Sequence, residues 1–467
     1  MSIRLYNTLS RKKEVLEPLV PGKIGMYTCG PTVYSYAHVG NLRTFLFQDL
    51  LRRHLEYRGY EVTHVMNITD VEDKIIRACR ETGEPREALT ERYASAFFED
   101  LRTLGVEAPE HCPRATDYID EMVSLVEKLR AKDHTYEVDG SVYFKIGSFP
   151  DYGKLSHFDV DTLQQGASGR VEEDEYATDD PRDFALWKGY VEEDGDVFWE
   201  TSIGKGRPGW HLECSCMSMA ILGESFDIHC GAIDLVFPHH ENEIAQSEAA
   251  TGKPFVKYWL HAAHLNIDGR KISKSIGNVV SLRELLKDGH DAAAIQWALR
   301  ATHYRQPTNF SVDTLQAAQQ AVQRIREFRT RLGDVRQADG NPLEDSCATC
   351  EERFGAALDD DLNISGALGA VFDFVRDTNK LIDAEELGEG GARNALALLD
   401  RLDTVTGMFG DGETSTVPPE IEQLLDERQK ARRSKDFARS DSIRDELNDL
   451  GWILKDTPEG PRLTKKI

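Results

Sequence analysis

Between Lys23 and Ile68 the chain reads as strand, turn, helix and strand, and that order leaves few folds open. Lys23 to Thr28 has the length and bulk of a short buried strand, and Gly30-Pro31 supplies a turn. After Gly40 the apolar residues Leu42, Phe45, Leu46, Leu50 and Leu55 recur at mostly helical intervals, and Gly59 ends the helix as a C′ glycine. Glu61 to Ile68 returns to strand. Consecutive strands joined through a helix lie parallel with a right-handed crossover, so the segment predicts the start of a doubly wound parallel α/β sheet.

Phe226 to His229 and Trp259 to Leu265 suit further buried strands, separated by a helix beginning near His239. Hairpin-like pieces such as Ser141 to Phe144 and an acidic stretch from Glu172 to Glu200 interrupt this rhythm. Beyond Phe310 the pattern turns helical. Leu315, Ala318, Val322, Ile325, Phe328 and Leu332 share one face up to Gly333, with Arg324, Arg326, Arg329 and Arg331 around the exposed side. A second helix follows near Ala367 to Ile382, and a charged helix pair occupies Ile421 to Leu450. A chain of 467 residues exceeds one core. It divides into residues 1–111 and 201–310 as halves of one nucleotide-binding fold, a connective insertion at 112–200, a helical domain at 311–415 and a small helical domain at 416–467.

No apolar run has membrane-spanning length and Met1 to Lys13 lacks a signal-peptide core, which predicts a cytoplasmic protein without membrane partners. The eight cysteines then read as reduced thiols or metal ligands. A net charge of −25 argues against a nucleic-acid partner until its distribution is counted. Ile421 to Ile467 holds 11 Lys and Arg against 10 Asp and Glu, so this tail carries +1 and the remainder −26. The 56 basic residues are 21 Lys and 35 Arg, an acidic, lysine-poor balance suited to a high-salt cytoplasm.

Three motifs carry chemistry. No Walker A loop occurs, so a nucleotide would have to be held another way. In Gly30 to Asn41, His38 and Asn41 stand at the mouth of a helix, whose N-terminus favours a triphosphate. In Asp268 to Asn278, a glycine-bounded loop carries Lys271 and Lys274 before a capping box at Ser281 to Glu284, and two flexible lysines can close over phosphates. His239 and Glu243, four apart, face one way on a helix, and Cys29 and Cys214 could complete a mixed set of zinc ligands. From spacing alone, a buried thiol and a helix-face histidine explain that third set equally well. A formal G-x-G-x-x-G at Gly204, Gly206 and Gly209 contains Pro208 and is expected outside any strand-to-helix turn, so it reads as chance.

Gly25 to Tyr34 running into His38 to Asn41, then Asn67 to Asp70, Pro181 to Lys188, Gly206 to Cys214, Phe237 to Glu243 and Lys271 to Ser275 resemble the cysteinyl-tRNA synthetases, a class I aminoacyl-tRNA synthetase family. The likeness runs in order over nearly the whole chain. It implies a class I synthetase-type, Rossmann-like sheet split by an insertion and followed by an all-α C-terminal tRNA-binding region. It implies Cys29, Cys214, His239 and Glu243 as ligands of one Zn²⁺ that binds substrate thiolate, with Thr69, Trp210 and His229 around the amino acid. Asp234 falls near the amino acid or the ATP ribose. His38, Asn41, Lys271 and Lys274 correspond to the two catalytic motifs, with Lys274 the principal ATP contact and Mg²⁺ on the phosphates. Asn41 stands where many members carry histidine, and Ile272 where they carry methionine.

The activity this implies is ATP-dependent ligation of L-cysteine to tRNA(Cys). Two alternatives share the motifs: a ligase joining cysteine to a small amino sugar, which would not need the region after Phe310, and a catalytically dead RNA-binding paralogue, which should have lost Lys274 or a zinc ligand. A chain ending near Phe310 is expected to keep cysteine activation and lose efficient tRNA charging.

Overall fold

The computed structural model describes residues 2–157, 183–272, 277–409, 419–433, 436–450, 452–457 and 460–465. Strand β1 (Lys23–Thr28), helix α1 (Val39–Tyr57) and strand β2 (Glu61–Met66) form the expected unit, with β1 and β2 parallel. Gly59 adopts φ +87° just beyond α1, the left-handed conformation its position calls for. After the insertion come α2 (Trp210–Leu222), β3 (Phe226–Ala232), α3 (Glu241–Thr251) and β4 (Val256–Ala262). The four strands make one all-parallel sheet in the order β4-β3-β1-β2.

The last of these strands ends earlier than the sequence suggests. It stops at Ala262 because Ala263 N–H turns away to Tyr304 O. Leu265 instead opens a short strand, Leu265–Ile267, which pairs with Thr308–Phe310 and with Arg270–Lys271.

The insertion and the residues just after its expected end at 200 form a five-stranded antiparallel sheet from Thr135–Val138, Ser141–Phe144, Phe184–Gly189, Gly204–Pro208 and Trp199–Thr201, in that spatial order. Here the glycine motif departs from expectation. Gly204–Pro208 is a strand and Gly209 caps α2, so the motif does sit at a strand-to-helix junction. Its glycines serve packing: a Cβ at Gly206 would lie 2.1 Å from Lys188 O, and one at Gly209 2.0 Å from Ala185 O.

Helices Val312–Gly333, Glu344–Asp359, Ile364–Asp383 and Glu389–Thr406 form the helical region. The arginines expected on its exposed side each meet a neighbouring element. Arg326 pairs with Asp291 at 2.6 Å, Arg329 with Asp400 at 2.5 Å and Arg331 with Asn379 at 2.5 Å, while Arg324 lies 4.7 Å over the Phe372 ring. A smaller unit follows, with helices Pro419–Arg433 and Phe437–Asp449 and a hairpin of Trp452–Thr457 with Gly460–Lys465 that the sequence reading missed. It has its own core of Ile421, Ile443 and Leu447. Lys430 and Arg432 are exposed there, whereas the side chains of Arg433 and Lys435 lie outside the described residues. No described helix is long and apolar enough to cross a membrane.

Phe310 is not a clean boundary. One apolar core joins Ile24 and Met26 of β1 and Phe47, Leu50 and Leu51 of α1 to Phe328, Phe354, Val371 and Leu399 of the four-helix region. Cutting there would bare that core, so the expectation of an active remnant ending near Phe310 fails on packing grounds. The same seam carries polar clamps. Asp49 in α1 accepts from Arg300, from Arg53 Nε at 2.8 Å and from Glu107 N–H at 2.9 Å. Arg300 also donates to Leu46 O at 2.9 Å and to Thr406 O at the end of the helical region. The side chains of Asp49 and Arg300 are each 1% exposed. Asp49→Ala would strand a buried guanidinium, and we expect a loss of about 3 kcal/mol or more, read as a lowered urea midpoint.

Candidate active site and metal centre

Strand β1 has β2 on one side and β3 on the other, so the chain leaving β1 and the chain leaving β3 part around a crevice beyond the strands' carboxyl ends. Into that crevice fall most of the residues singled out from the sequence. Cys29 follows the last residue of β1, Cys214 lies in the second turn of α2, His239 in a five-residue π-type turn Val236–His240, and Glu243 in the first turn of α3. One ligand atom from each of the four lies within 4.8 Å of all the others.

A second group, Cys29, His229, His240 and Glu243, meets the same distance criterion. Its imidazoles bond within the group and to His261. His229 Nε2 bonds Glu243 Oε2 at 3.0 Å, and His240 bonds Cys29 Sγ at 3.3 Å and His261 Nε2 at 2.8 Å. In the first set, by contrast, His239 Nε2 and Glu243 Oε1 stand 3.0 Å apart, yet both are buried without a hydrogen-bond partner. A buried imidazole nitrogen and a carboxylate oxygen converging beside two sulfurs fit a borderline-soft divalent cation. His211 Nδ1 lies 2.8 Å from His239 Nδ1 and fixes the ring so that Nε2 faces the group.

The electrostatics agree. Burial pushes the Cys29 thiol up, and hydrogen bonding with Cys29 together with burial pushes Cys214 well up. For Glu243 burial acts upward, but His229 and His239 outweigh it and hold the carboxyl at about 2. Burial would likewise lower His239, but Glu243 and Cys214 raise it to about 10. Without a metal the two thiols and His239 hold protons around the Glu243 carboxylate, and a cation would replace those protons, so its affinity rises with pH.

Around the cage, Trp210 stacks on His239 with ring centroids 4.0 Å apart, and His229 stacks on Trp259 at 4.7 Å. Thr69 Oγ1 donates to Glu213 Oε2 at 3.0 Å and accepts from Asn67 Nδ2 at 3.2 Å. Gly30 lets the two loops touch: a Cβ there would fall 1.7 Å from Asn67 O. Asp234 is exposed just past β3. The sequence reading missed Tyr27, His211, Glu213, His240 and His261. The available signal was their polar character at buried strand and helix positions next to the proposed ligands.

On the other flank, His38 is the N-cap of α1. Its Nδ1 accepts from Asn41 N–H at 3.2 Å, and Asn41 Oδ1 accepts from His38 N–H at 3.2 Å. Asn41 thus completes a capping box and keeps its amide NH₂ for donation. Val39 N–H donates to Val280 O at 2.9 Å, which ties the segment after the lysine loop to the start of α1. Lys271 is exposed on its short strand, while Lys274 and Ser275 lie outside the described residues.

Residues 15–320 match the family model for the tRNA synthetases class I (C) catalytic domain, 353–410 a DALR domain and 414–460 the cysteinyl-tRNA ligase anticodon binding domain. A cysteine–tRNA ligase of Solibacter usitatus is 48% identical over 472 residues, covering 100% of both chains. That of Protochlamydia amoebophila is 45% identical over 472 residues, covering 99% of this chain and 98% of its own. Among solved structures, Mycobacterium tuberculosis methionyl-tRNA synthetase in complex with methionyl-adenylate aligns with a TM-score of 0.61 at 14% identity, over 86% of this chain and 94% of that one. A putative arginyl-tRNA synthetase of Campylobacter jejuni gives 0.56 at 12% identity, over 83% and 92%. At such identities the structural likeness is one of fold: a class I parallel sheet with a helical region behind it. The chain belongs to the cysteinyl-tRNA synthetase family of class I aminoacyl-tRNA synthetases.

Proposed function

We propose that the chain activates L-cysteine with ATP and transfers it to tRNA(Cys) in the cytoplasm, with the crevice beyond β1 and β3 as the adenylation site. The observation that carries the reading is the convergence of Cys29, Cys214, His239 and Glu243 within 4.8 Å. In this reading they hold Zn²⁺, which when bound takes a thiolate far more readily than a hydroxyl and so separates cysteine from serine without editing.

The chain's own residues do the rest. Trp210, stacked on His239, covers the amino-acid side, His229 backs Glu243, and the Thr69 hydroxyl, its proton given to Glu213, turns a lone pair towards the substrate ammonium. Asp234 stands where it can meet the ammonium or the ATP ribose. The cysteine carboxylate attacks the α-phosphorus of ATP, the bond to the bridging oxygen breaks, and pyrophosphate leaves. His38, the Asn41 amide, Lys271 and Lys274, with Mg²⁺, stabilise the charge that builds on the departing oxygens. A ribose hydroxyl at the tRNA terminus then attacks the adenylate carbonyl and AMP departs. Residues 311–415 and 416–467 serve the tRNA, the second matching an anticodon-binding module for which an amino-sugar ligase would have no use. A dead paralogue is disfavoured because every proposed ligand and both loop lysines are present.

ATP–pyrophosphate exchange across the twenty amino acids tests the substrate: cysteine alone should stimulate it strongly, and stimulation by another would overturn the assignment. Lys274→Ala should lower exchange about 100-fold, equivalent to roughly 3 kcal/mol, with folding unchanged by circular dichroism. Metal analysis should find one zinc per chain, and Cys214→Ser should raise the KM for cysteine and narrow the preference over serine. A chain truncated after Phe409 loses only the unit with its own small core, so it should keep cysteine-dependent exchange and charge tRNA(Cys) poorly. Equal charging by both forms would show that this unit does not serve the tRNA.

A further inference from the structure

The two segments proposed to hold ATP meet on helix α1, and one side chain of that helix has no part in the reading above. Arg43 stands two residues after Asn41 and five after His38, and is 3% exposed. Its guanidinium hydrogen-bonds only main-chain oxygens among the described residues. Nη1 donates to Ala263 O at 2.5 Å and His264 O at 3.3 Å, and Nη2 to Gln306 O at 2.7 Å and His303 O at 3.3 Å. These carbonyls belong to two chain segments, one just ahead of the strand Leu265–Ile267 and one just ahead of Thr308–Phe310, and the two strands pair in parallel with Leu265 opposite Thr308. The fork thus pins both strands at the end where their pairing begins.

Beyond Ile267 the chain turns, and Arg270–Lys271 pairs back on the first of these strands. Ile272 then reaches α1 again: a Cβ at Gly40 would lie 2.8 Å from its Cδ1. Leu265 and Ile267 share one apolar cluster with Leu42, Phe45 and Leu46 of α1. The strand that presents Lys271 is therefore seated on the helix that presents His38 and Asn41, and Arg43 is a polar anchor of that seat. General support of the fold does not explain the choice of side chain. Arg300, buried in the seam with the helical region, is opposed by the Asp49 carboxylate. Arg43 has no carboxylate partner among the described residues, and burial lowers its pKa to about 10, so it stays charged in an interior that disfavours charge. What it supplies is a planar fork that grips carbonyls of two segments at once, a geometry that a lysine or an apolar side chain lacks.

We propose that Arg43 is a positioning residue for adenylate formation: by holding the segments ahead of Leu265 and Thr308, it sets Lys271 at a fixed place relative to His38 and Asn41. The inference rests on the roles proposed above for those three residues. A grip on the triphosphate assembled from two segments stabilises the departing charge only while both stand at the right distance, and a small misplacement is enough to lose it. The four proposed metal ligands sit on other elements, so cysteine binding should not depend on the fork.

Full-length Arg43→Lys keeps the charge and loses the fork, while Arg43→Met removes the buried charge as well and guards against a chain that fails to fold. In cysteine-dependent ATP–pyrophosphate exchange, both variants should lose about tenfold in kcat and show a raised KM for ATP, with zinc content and the KM for cysteine unchanged. In a double-mutant cycle with Lys271→Ala, the second change should add little to the first, because both act through one group. Normal exchange by both folded variants would overturn the proposal. So would failure of both to fold, losses that multiply in the cycle, or a loss of zinc and a rise in the KM for cysteine that match the effect on ATP, since each reduces Arg43 to support of the fold. Unchanged exchange by Lys271→Ala alone would remove the group through which Arg43 acts and overturn it too. Absence of cysteine-dependent exchange in the wild type would refute the adenylation reading itself, and the proposal with it.

Discussion

Strand β1 is hydrogen-bonded on both sides, and nearly everything in the site depends on that. With β2 on one flank and β3 on the other, the chain must leave β1 and β3 in diverging directions, and the gap between them is the one place where side chains from remote segments can meet. Cys29 comes from the near lip of that gap, His239 and Glu243 from the far lip, and Cys214 from a helix entering after the insertion. Four residues spread over more than two hundred positions thus become a cage less than 5 Å across because a parallel sheet allows no shorter path.

The cage concentrates a second constraint, a fully buried carboxylate. Glu243 is affordable only because His229 and His239 oppose its charge, and those rings are oriented in turn by Trp259, Trp210 and His211. The polar interior here is a connected network, from the Thr8 hydroxyl through His261 and His240 to Cys29. Replacing a single member leaves its neighbours buried and unpaired.

Much of this could be read from the residues themselves. The β1-α1-β2 unit was legible because periodicity and a C′ glycine act locally, and the convergence of Cys29, Cys214, His239 and Glu243 was legible once resemblance joined residues that spacing alone left open. Other features depend on distant partners. Leu265 left the sheet because Tyr304 O captured the Ala263 amide, and the hairpin strands Trp452–Thr457 and Gly460–Lys465 show no sustained alternation, since Trp452, Ile453 and Leu454 are bunched at one end and Leu463 stands among polar neighbours. The glycines at 204, 206 and 209 were read as a chance match to a phosphate signature because their junction was not foreseen, and the backbone around Lys188 and Ala185 explains Gly206 and Gly209. The four arginines of Val312–Gly333 were expected on an exposed side, but a helix face gives no hint of which neighbouring group will reach it. Asn41 showed the reverse problem: read as a histidine substitute, it is also one half of a helix cap.

Helix α1 touches both ends of the protein. Its first turn carries His38 and Asn41, and its later turns hold the helical region through Asp49 and Arg300 and through Arg58 to Asp359 at 2.8 Å. A helix of 19 residues is a stiff rod of roughly 28 Å. Clamped in this way, it behaves as a gauge bar: the distance between the proposed ATP site and the helical region proposed to serve the tRNA is set by helix geometry. A helical region borrowed from another member would inherit the wrong reach unless it brought groups able to seat on Arg53, Arg58 and Arg300. Exchange between relatives would therefore travel with this rod.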